Sequence, residues 1–123
     1  MTDIIYKELS YEVVNAAIAV WKTLGHGFLE KVYENALCIE LAKREIPYVQ
    51  KKPVKVHYDG QCVGDYMADI VVDDKIILEL KAAKAISDAH VVQVLNYLKA
   101  TGLRLGLVLN FGVEKMDFKR LIL

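Results

Sequence analysis

The sequence has 123 residues, of which 54% are apolar and 26% are charged, and these are the proportions of a compact globular protein. A chain of this length predicts a single domain over residues 1–123. Sixteen basic and sixteen acidic residues balance, which excludes a general electrostatic attraction to polyanions. The absence of a signal-peptide pattern and of about 18 continuous apolar residues predicts a cytoplasmic protein outside the membrane. Cys38 and Cys62 lack CxxC spacing, so we expect buried free thiols rather than zinc ligands or a disulfide.

Two helices are predicted in the first third of the chain. Ser10 is the expected cap of a helix that runs to about Leu24, where Gly25 ends it. A second helix is predicted from about Leu29 to Arg44. Its apolar positions are expected to be buried, and they are Val32, Tyr33, Ala36, Leu37 and Leu41.

The rest of the chain predicts five strands and one further helix. The predicted strands cover residues 48–58, 61–72, 75–82, 104–110 and 118–123. Asp59-Gly60 is a strong two-residue hairpin signal between the first two. Ser87 is a plausible cap for a helix over 88–101, which Gly102 closes. The order ααβββαββ predicts an α/β (α+β) protein with a mixed sheet flanked by helices, an antiparallel meander first and one crossover afterwards.

The stretch from residue 69 to residue 81 joins two apolar strands that carry two acids and a lysine. With a three-residue connection at 73–75, Val72 pairs with Ile76 and Asp69 falls opposite Glu79. One face is then wholly apolar (Ile70, Val72, Ile76, Leu78, Leu80), and the other carries Asp69, Val71, Ile77, Glu79 and Lys81. A two-residue turn would scatter this pattern, so the sequence favours the register that gathers the charges.

Two carboxylates that face one point repel each other unless a cation or a proton intervenes. Oxygen ligands suit Mg²⁺ or Mn²⁺, which completes its shell with waters and substrate phosphate. Lys81 follows Glu79 by two residues, and it can orient an attacking water or balance charge on phosphate. An ordinary salt-bridged pair on a solvated strand face is the alternative, because such triplets occur by chance.

The predicted helices carry further candidates for the same site. Glu30 and Tyr33 are three residues apart and lie on adjacent parts of one helix face. Glu30 could supply a third carboxylate, or it could simply favour the positive end of its helix. On the third helix, His90, Gln93 and Tyr97 form one stripe. Taken singly, His90 favours a surface or capping role and Tyr97 favours core packing.

Together these motifs resemble a known group of nucleases. Asp69, Glu79-Leu80-Lys81 and Gln93-Val-Leu-Asn-Tyr97 resemble the D...ExK...QxxxY arrangement of RecB-like members of the PD-(D/E)XK nuclease superfamily. The segment from Gly27 to Tyr33 matches the signature of the GxxExxY protein family, and the resemblance spans the chain from about Leu9 to Leu123. Ala68 stands where the superfamily name has proline, a position that varies.

The resemblance implies a restriction-endonuclease-like core and a role for each matched residue. Asp69 and Glu79 would bind Mg²⁺ or Mn²⁺, with the Leu80 carbonyl as a further ligand, and Lys81 would position or activate water. Glu30 would match the acid that many members place on an early helix near the metal. Gln93 and Tyr97 would line the site and contact substrate phosphate or the DNA end, and Tyr33 is a further expected substrate contact. Independently of the resemblance, the basic residues Lys51 and Lys52 of the first predicted strand are expected to contact phosphate. A solvated lysine face is the alternative for these two.

The function implied is metal-dependent hydrolysis of DNA phosphodiester bonds, in repair or in the processing of ends and flaps. The alternative is a non-catalytic module that keeps the nuclease fold and binds a nucleic acid or a protein. A homodimer is a further expectation, because the terminal strand could expose an edge.

Overall fold

A computed structural model describes residues 4–112 and 114–123. The helices are α1 (Lys7–Leu24), α2 (Glu30–Lys43) and α3 (Asp88–Thr101). The strands are β1 (Tyr48–Tyr58), β2 (Gln61–Val72), β3 (Ile76–Lys81), β4 (Leu105–Asn110) and β5 (Asp117–Ile122). They form one sheet in the order β1-β2-β3-β4-β5, in which the β3–β4 pair is parallel and the other pairs are antiparallel. The predicted element order, meander and crossover are confirmed.

The sheet is covered on both faces. Helices α1 and α2 pack on the predicted apolar face of the β2–β3 hairpin, whose residues Ile70, Val72, Ile76, Leu78 and Leu80 are buried there. Helix α3 covers the opposite face over Val71 and Ile77. The predicted division of the hairpin into two faces is confirmed. Within the described residues, no helix combines the length and the apolar character that a bilayer span requires.

Helix α3 begins and ends where the sequence predicts. The Ser87 side chain accepts a hydrogen bond from the His90 backbone, and the His90 ring accepts one from the Ser87 backbone, which together form a capping box. Gly102 follows the helix with a left-handed φ of 77°. The capping role of His90 is therefore confirmed.

The prediction that Ser10 caps α1 is wrong. The helix begins at Lys7, and Ser10 lies buried in its second turn. The Ser10 hydroxyl donates to the Lys7 carbonyl at 3.0 Å and accepts from the Arg120 guanidinium at 2.8 Å. A serine inside a helix satisfies its hydroxyl in this way when a tertiary partner is near. Ser10 thus ties α1 to β5.

Two residues that were predicted to be buried, Val32 and Cys62, are exposed. Val32 is 39% exposed because it lies on the outer side of the first turn of α2, away from the sheet. Cys62 is exposed because it lies beside the turn of the β1–β2 hairpin, where neighbouring residues on both strands are exposed as well. Cys38 is buried, as predicted, and both thiols are free.

Strands β1 and β2 change sides partway along their length. In β2, Ile70 packs on the α1–α2 side, whereas Ala68, two residues earlier, packs on the α3 side. In β1, Tyr48 packs on the α1–α2 side, whereas Val54 packs on the α3 side. The change falls beside Lys51, which has a left-handed φ of 56° and interrupts the regular pairing of the strands. Asp69 lies at this interruption.

Candidate metal centre

The β2–β3 connection has the three residues that the sequence predicts. Val72 pairs with Ile76 and Ile70 pairs with Leu78, after which the regular backbone pairing ends. Beyond the last regular pair, the Leu80 N–H of β3 donates to the Asp69 carboxylate of β2 at 2.9 Å. A side chain thus replaces the backbone acceptor where the two strands separate. The register gathers Asp69, Glu79 and Lys81, as predicted.

Glu79 is a buried acid with an unsatisfied oxygen. The residue is 4% exposed, and within the described part of the chain its Oε2 atom has no hydrogen-bond partner. Lys81 Nζ lies 3.8 Å from Glu79 Oε1. Burial, and after it the neighbouring Asp69 carboxylate, raises the pKa of Glu79 to about 8. Glu79 is therefore a buried acid whose proton affinity is raised beside a second carboxylate.

The acid that reaches this region from α2 is Glu34. Its buried carboxylate lies 2.9 Å from Lys51 Nζ, which also lies 3.2 Å from Asp69 Oδ1. Burial raises the pKa of Glu34, but hydrogen bonds from Gln50 and from two lysines outweigh it and leave the pKa below its usual range. Lys51 therefore supplies a positive charge to two acids at once.

Glu30 lies one helical turn before Glu34 on α2. It is exposed at the first position of α2. Burial, and after it Lys81, lower the pKa of His90, while the Glu30 carboxylate opposes them. No group of three His, Cys, Asp or Glu side chains arranged to hold a metal ion occurs in residues 4–112 and 114–123. The structure does not bring Glu30 together with Asp69 and Glu79.

Gln93 and Tyr97 border a cleft beside Lys81. The cleft has a volume of about 670 Å³ and lies between α3 and Tyr66 of β2. Gln93 Nε2 donates to the Tyr97 hydroxyl at 3.0 Å, and Tyr97 is only 3% exposed. Burial, followed by the Glu79 carboxylate, raises the pKa of Tyr97. Both α3 residues therefore lie beside the acids, Gln93 at the surface and Tyr97 beneath it.

One predicted substrate contact, Tyr33, is corrected by its surroundings. Tyr33 is fully buried, its ring stacks on Phe111 with centroids 4.4 Å apart, and its hydroxyl donates to the Gly25 carbonyl at 2.7 Å. It is a core residue that holds the α1–α2 connection. Lys52 lies 3.9 Å from the exposed Asp74 carboxylate in the β2–β3 turn, and its contact with substrate stays a prediction.

Asn110 fixes the backbone that carries Lys81. It is 1% exposed and ends β4 directly beside Lys81 of β3. Its side chain accepts from the Ala83 and Gly112 N–H groups and donates to the Ala83 carbonyl, at 2.9 to 3.1 Å. The Phe111 N–H also donates to the Lys81 carbonyl at 2.8 Å. The turn after Lys81 is thus held on both sides.

Sequence reasoning missed Glu34, Asn110 and Tyr66. Glu34 follows Glu30 by four residues, a spacing that places both on one helix face and could have made it a candidate. Asn110 is a polar residue at the end of an otherwise apolar strand, which is a signal for a buried hydrogen-bonding role. Tyr66 carried no such signal, because strict alternation places it on the opposite face from Asp69.

The chemistry of these side chains fits a divalent cation. Two adjacent carboxylates, one with a buried oxygen that lacks a partner, form an oxygen donor set that suits Mg²⁺ or Mn²⁺. A mixed sheet flanked by helices, with this acid pair and a lysine where two strands separate, defines a nuclease-like α+β protein. The sequence model of the PD-(D/E)XK nuclease superfamily matches residues 7–121, and the chain belongs to that superfamily. The restriction-endonuclease-like fold predicted from the sequence is confirmed. Searches of curated proteins and of solved structures each found no match.

Proposed function

We propose that the protein is a metal-dependent nuclease that hydrolyses DNA phosphodiester bonds. The observation that carries the proposal is the buried Glu79 carboxylate, which has one oxygen without a partner, an adjacent acid and a lysine 3.8 Å away. Neither a salt-bridged surface pair nor a packed core requires a buried acid in this state. Membership of the nuclease superfamily supports the same function.

In this proposal, each residue of the acid pair has a defined role. Asp69 and Glu79 would hold Mg²⁺ or Mn²⁺ together with the Leu80 carbonyl, and the Asp69–Leu80 hydrogen bond keeps Asp69 turned toward β3. When bound, the cation would neutralise the two carboxylates and polarise a phosphodiester oxygen. Lys81 donates hydrogen bonds to the attacking water or to the phosphate oxygen on which charge develops.

The remaining residues bind and orient the substrate. Gln93 presents its amide beside Lys81, where it can hydrogen-bond a phosphate oxygen. Tyr97 holds the Gln93 side chain in place through the bond between them. Glu30, which the resemblance implies as a third metal-binding acid, is exposed at the start of α2 and is left outside the acid pair in this proposal. The expected homodimer stays a proposal supported by β5, an edge strand with Phe118 and Ile122 about half exposed.

Cleavage assays with a matched pair of variants test the proposal. Wild-type protein, Asp69→Ala and Asp65→Ala are incubated with single-stranded, duplex and flap DNA in Mg²⁺ or Mn²⁺. Asp65 lies on the same strand but is exposed, so it is the control. We expect metal-dependent cleavage that Asp69→Ala lowers at least about 100-fold and that Asp65→Ala leaves unchanged. Equally poor cleavage by all three proteins contradicts the nuclease function.

One observation favours a second function, a non-catalytic module that binds nucleic acid or protein. Lys51 already gives Asp69 a counter-ion from within the chain, at 3.2 Å. In such a module the acids and Lys51 would form a structural network that needs no metal. Titration calorimetry with Mn²⁺ separates the two functions, because a nuclease binds the ion through Asp69 and Glu79 whereas a metal-free module gives no binding heat.

A further inference from the structure

The cleft between Tyr66 and α3 continues directly from the proposed metal centre. Lys81 belongs to both, since its Nζ lies 3.8 Å from Glu79 Oε1 and its side chain lines the cleft. A nucleotide whose phosphate lies at the acids therefore has the cleft within reach of its sugar and base. The volume of about 670 Å³ is in the usual range for a small-molecule site.

Tyr66 gives this cleft an aromatic wall. Its ring lies 5.7 Å from the ring of Tyr97, centroid to centroid, and Tyr97 is buried. Tyr66 itself is 41% exposed. The Tyr66 ring therefore packs against Tyr97 on one side and is open to the cleft on the other. Because the ring is already held in place, little side-chain entropy is lost when a flat ligand stacks on it.

The opposite wall offers apolar contact and a free amide. Val92 of α3 lines the cleft and is 63% exposed, so its side chain is accessible to a ligand. Asn96 also lines the cleft, and its amide makes no side-chain hydrogen bond within the described residues. An amide that can both donate and accept matches the edge of a nucleobase.

We propose that this cleft receives the base of an unpaired nucleotide next to the scissile phosphate, so that the protein prefers single-stranded DNA, overhangs and flaps to continuous duplex. The inference rests on the proposed nuclease function and adds its substrate class. In a duplex both faces of a base are stacked and its edge is paired, so a base enters such a cleft only when it is unstacked. Tyr66 provides stacking that does not depend on base identity, which predicts little sequence preference.

Binding measurements with three variants test the inference. Tyr66→Ala removes the ring, Tyr66→Phe keeps it, and Tyr58→Ala removes a tyrosine that is 76% exposed near the far end of the hairpin. Each protein is titrated into labelled single-stranded DNA and into the same sequence as duplex, with Ca²⁺ in place of Mg²⁺ to prevent cleavage. We expect Tyr66→Ala to weaken single-strand binding about tenfold. Single-strand binding by Tyr66→Phe and by Tyr58→Ala should stay within about twofold of wild type. Duplex binding by all three variants should also stay within about twofold of wild type.

A second measurement needs no substitution. Single-stranded DNA that carries one photoreactive iododeoxyuridine is irradiated on the wild-type protein, and the crosslinked peptide is identified by mass spectrometry. We expect the crosslink at Tyr66. A crosslink outside the cleft, or equal losses of single-strand and duplex binding in Tyr66→Ala, overturns the inference.

The outcomes also separate this inference from the proposed function. Metal-dependent cleavage of duplex and single strands at equal rates, unaffected by Tyr66→Ala, overturns the inference and leaves the nuclease function standing. Single-strand binding that depends on Tyr66, in a protein that cuts no DNA, supports the base-binding cleft and overturns catalysis.

Discussion

At the scale of single residues, Lys51 supplies the positive charge that partly neutralises Asp69. Its ammonium lies within 3.2 Å of two acids, and its backbone has a left-handed φ of 56°. That conformation costs a non-glycine residue about 1 kcal/mol. Burial lowers the pKa of Lys51, but the carboxylates of Glu34 and Asp69 outweigh it and raise the pKa overall. A metal ion at Asp69 therefore competes with Lys51 for the same carboxylate.

This competition predicts the behaviour of Lys51→Met. Without the ammonium, Asp69 and the buried Glu34 lose a shared partner, so the metal-free variant should lose about 1 kcal/mol or more of unfolding free energy. Saturating Mn²⁺ should raise its melting temperature more than that of wild type, because the carboxylate no longer has an internal cation. Thermal melts with and without Mn²⁺ measure both effects.

Lys52→Met is the matched control. Its ammonium pairs at 3.9 Å with the exposed Asp74, and exposed pairs of this kind contribute little. We expect this variant to melt like wild type and to gain the same increment from Mn²⁺. If Lys51→Met also gains only that increment, Lys51 does not compete with the metal.

The residues of the acid pair could be predicted from the sequence, but their partners could not. Alternation along β2 and β3 and the length of the turn were enough to bring Asp69 beside Glu79 and Lys81. Glu30 and Glu34, by contrast, are one helical turn apart on the same face. Only the packing of α2 against the sheet decides that Glu34 is buried and Glu30 exposed.

At the scale of elements, turn and cap residues made most boundaries predictable. Asp59-Gly60 marks the β1–β2 turn, and Ser87 with Gly102 marks both ends of α3. The change of side in β1 and β2 could not be predicted, because it depends on a left-handed lysine inside a strand. That change brings Tyr66 to the α3 side, where it meets Tyr97.

The position of α3 over the sheet predicts the effect of Gly106→Ala. A Cβ atom at Gly106 of β4 would lie 2.4 Å from Val94 Cγ1 of α3, closer than any tolerated contact. We expect the helix to shift and the unfolding free energy to fall by about 1 to 3 kcal/mol. Urea denaturation of the single variant measures this loss.

The double variant Gly106→Ala/Val94→Ala shows whether that contact is the cause. Val94→Ala alone opens a cavity and is destabilising in its own right. In the double variant the new methyl group fills part of the space, so the combined loss should be smaller than the sum of the two single losses. Strictly additive losses would mean that Gly106→Ala acts elsewhere, for example through the backbone.

At the scale of the whole molecule, the acid pair couples folding to pH. In the metal-free protein the pKa of Glu79 is raised by burial and by Asp69 to about 8, whereas an unfolded glutamate titrates near its model value of 4.5. A raised folded-state pKa contributes stability that is fully present below the unfolded pKa and is lost as pH rises through the folded one. The metal-free protein should therefore lose stability between about pH 4.5 and about pH 8.

Glu79→Gln isolates this effect, because an amide of nearly the same shape does not titrate. Between about pH 5 and about pH 8.5, wild type should lose on the order of 2 kcal/mol of unfolding free energy relative to the variant. Mn²⁺ should restore stability to wild type at the higher pH and not to Glu79→Gln, since the ion favours the ionised carboxylate. Urea denaturation at both pH values, with and without Mn²⁺, provides the four comparisons. Parallel pH profiles for the two proteins without metal would mean that Glu79 is ionised in the folded state, and the proposed cation site would then lose its principal support.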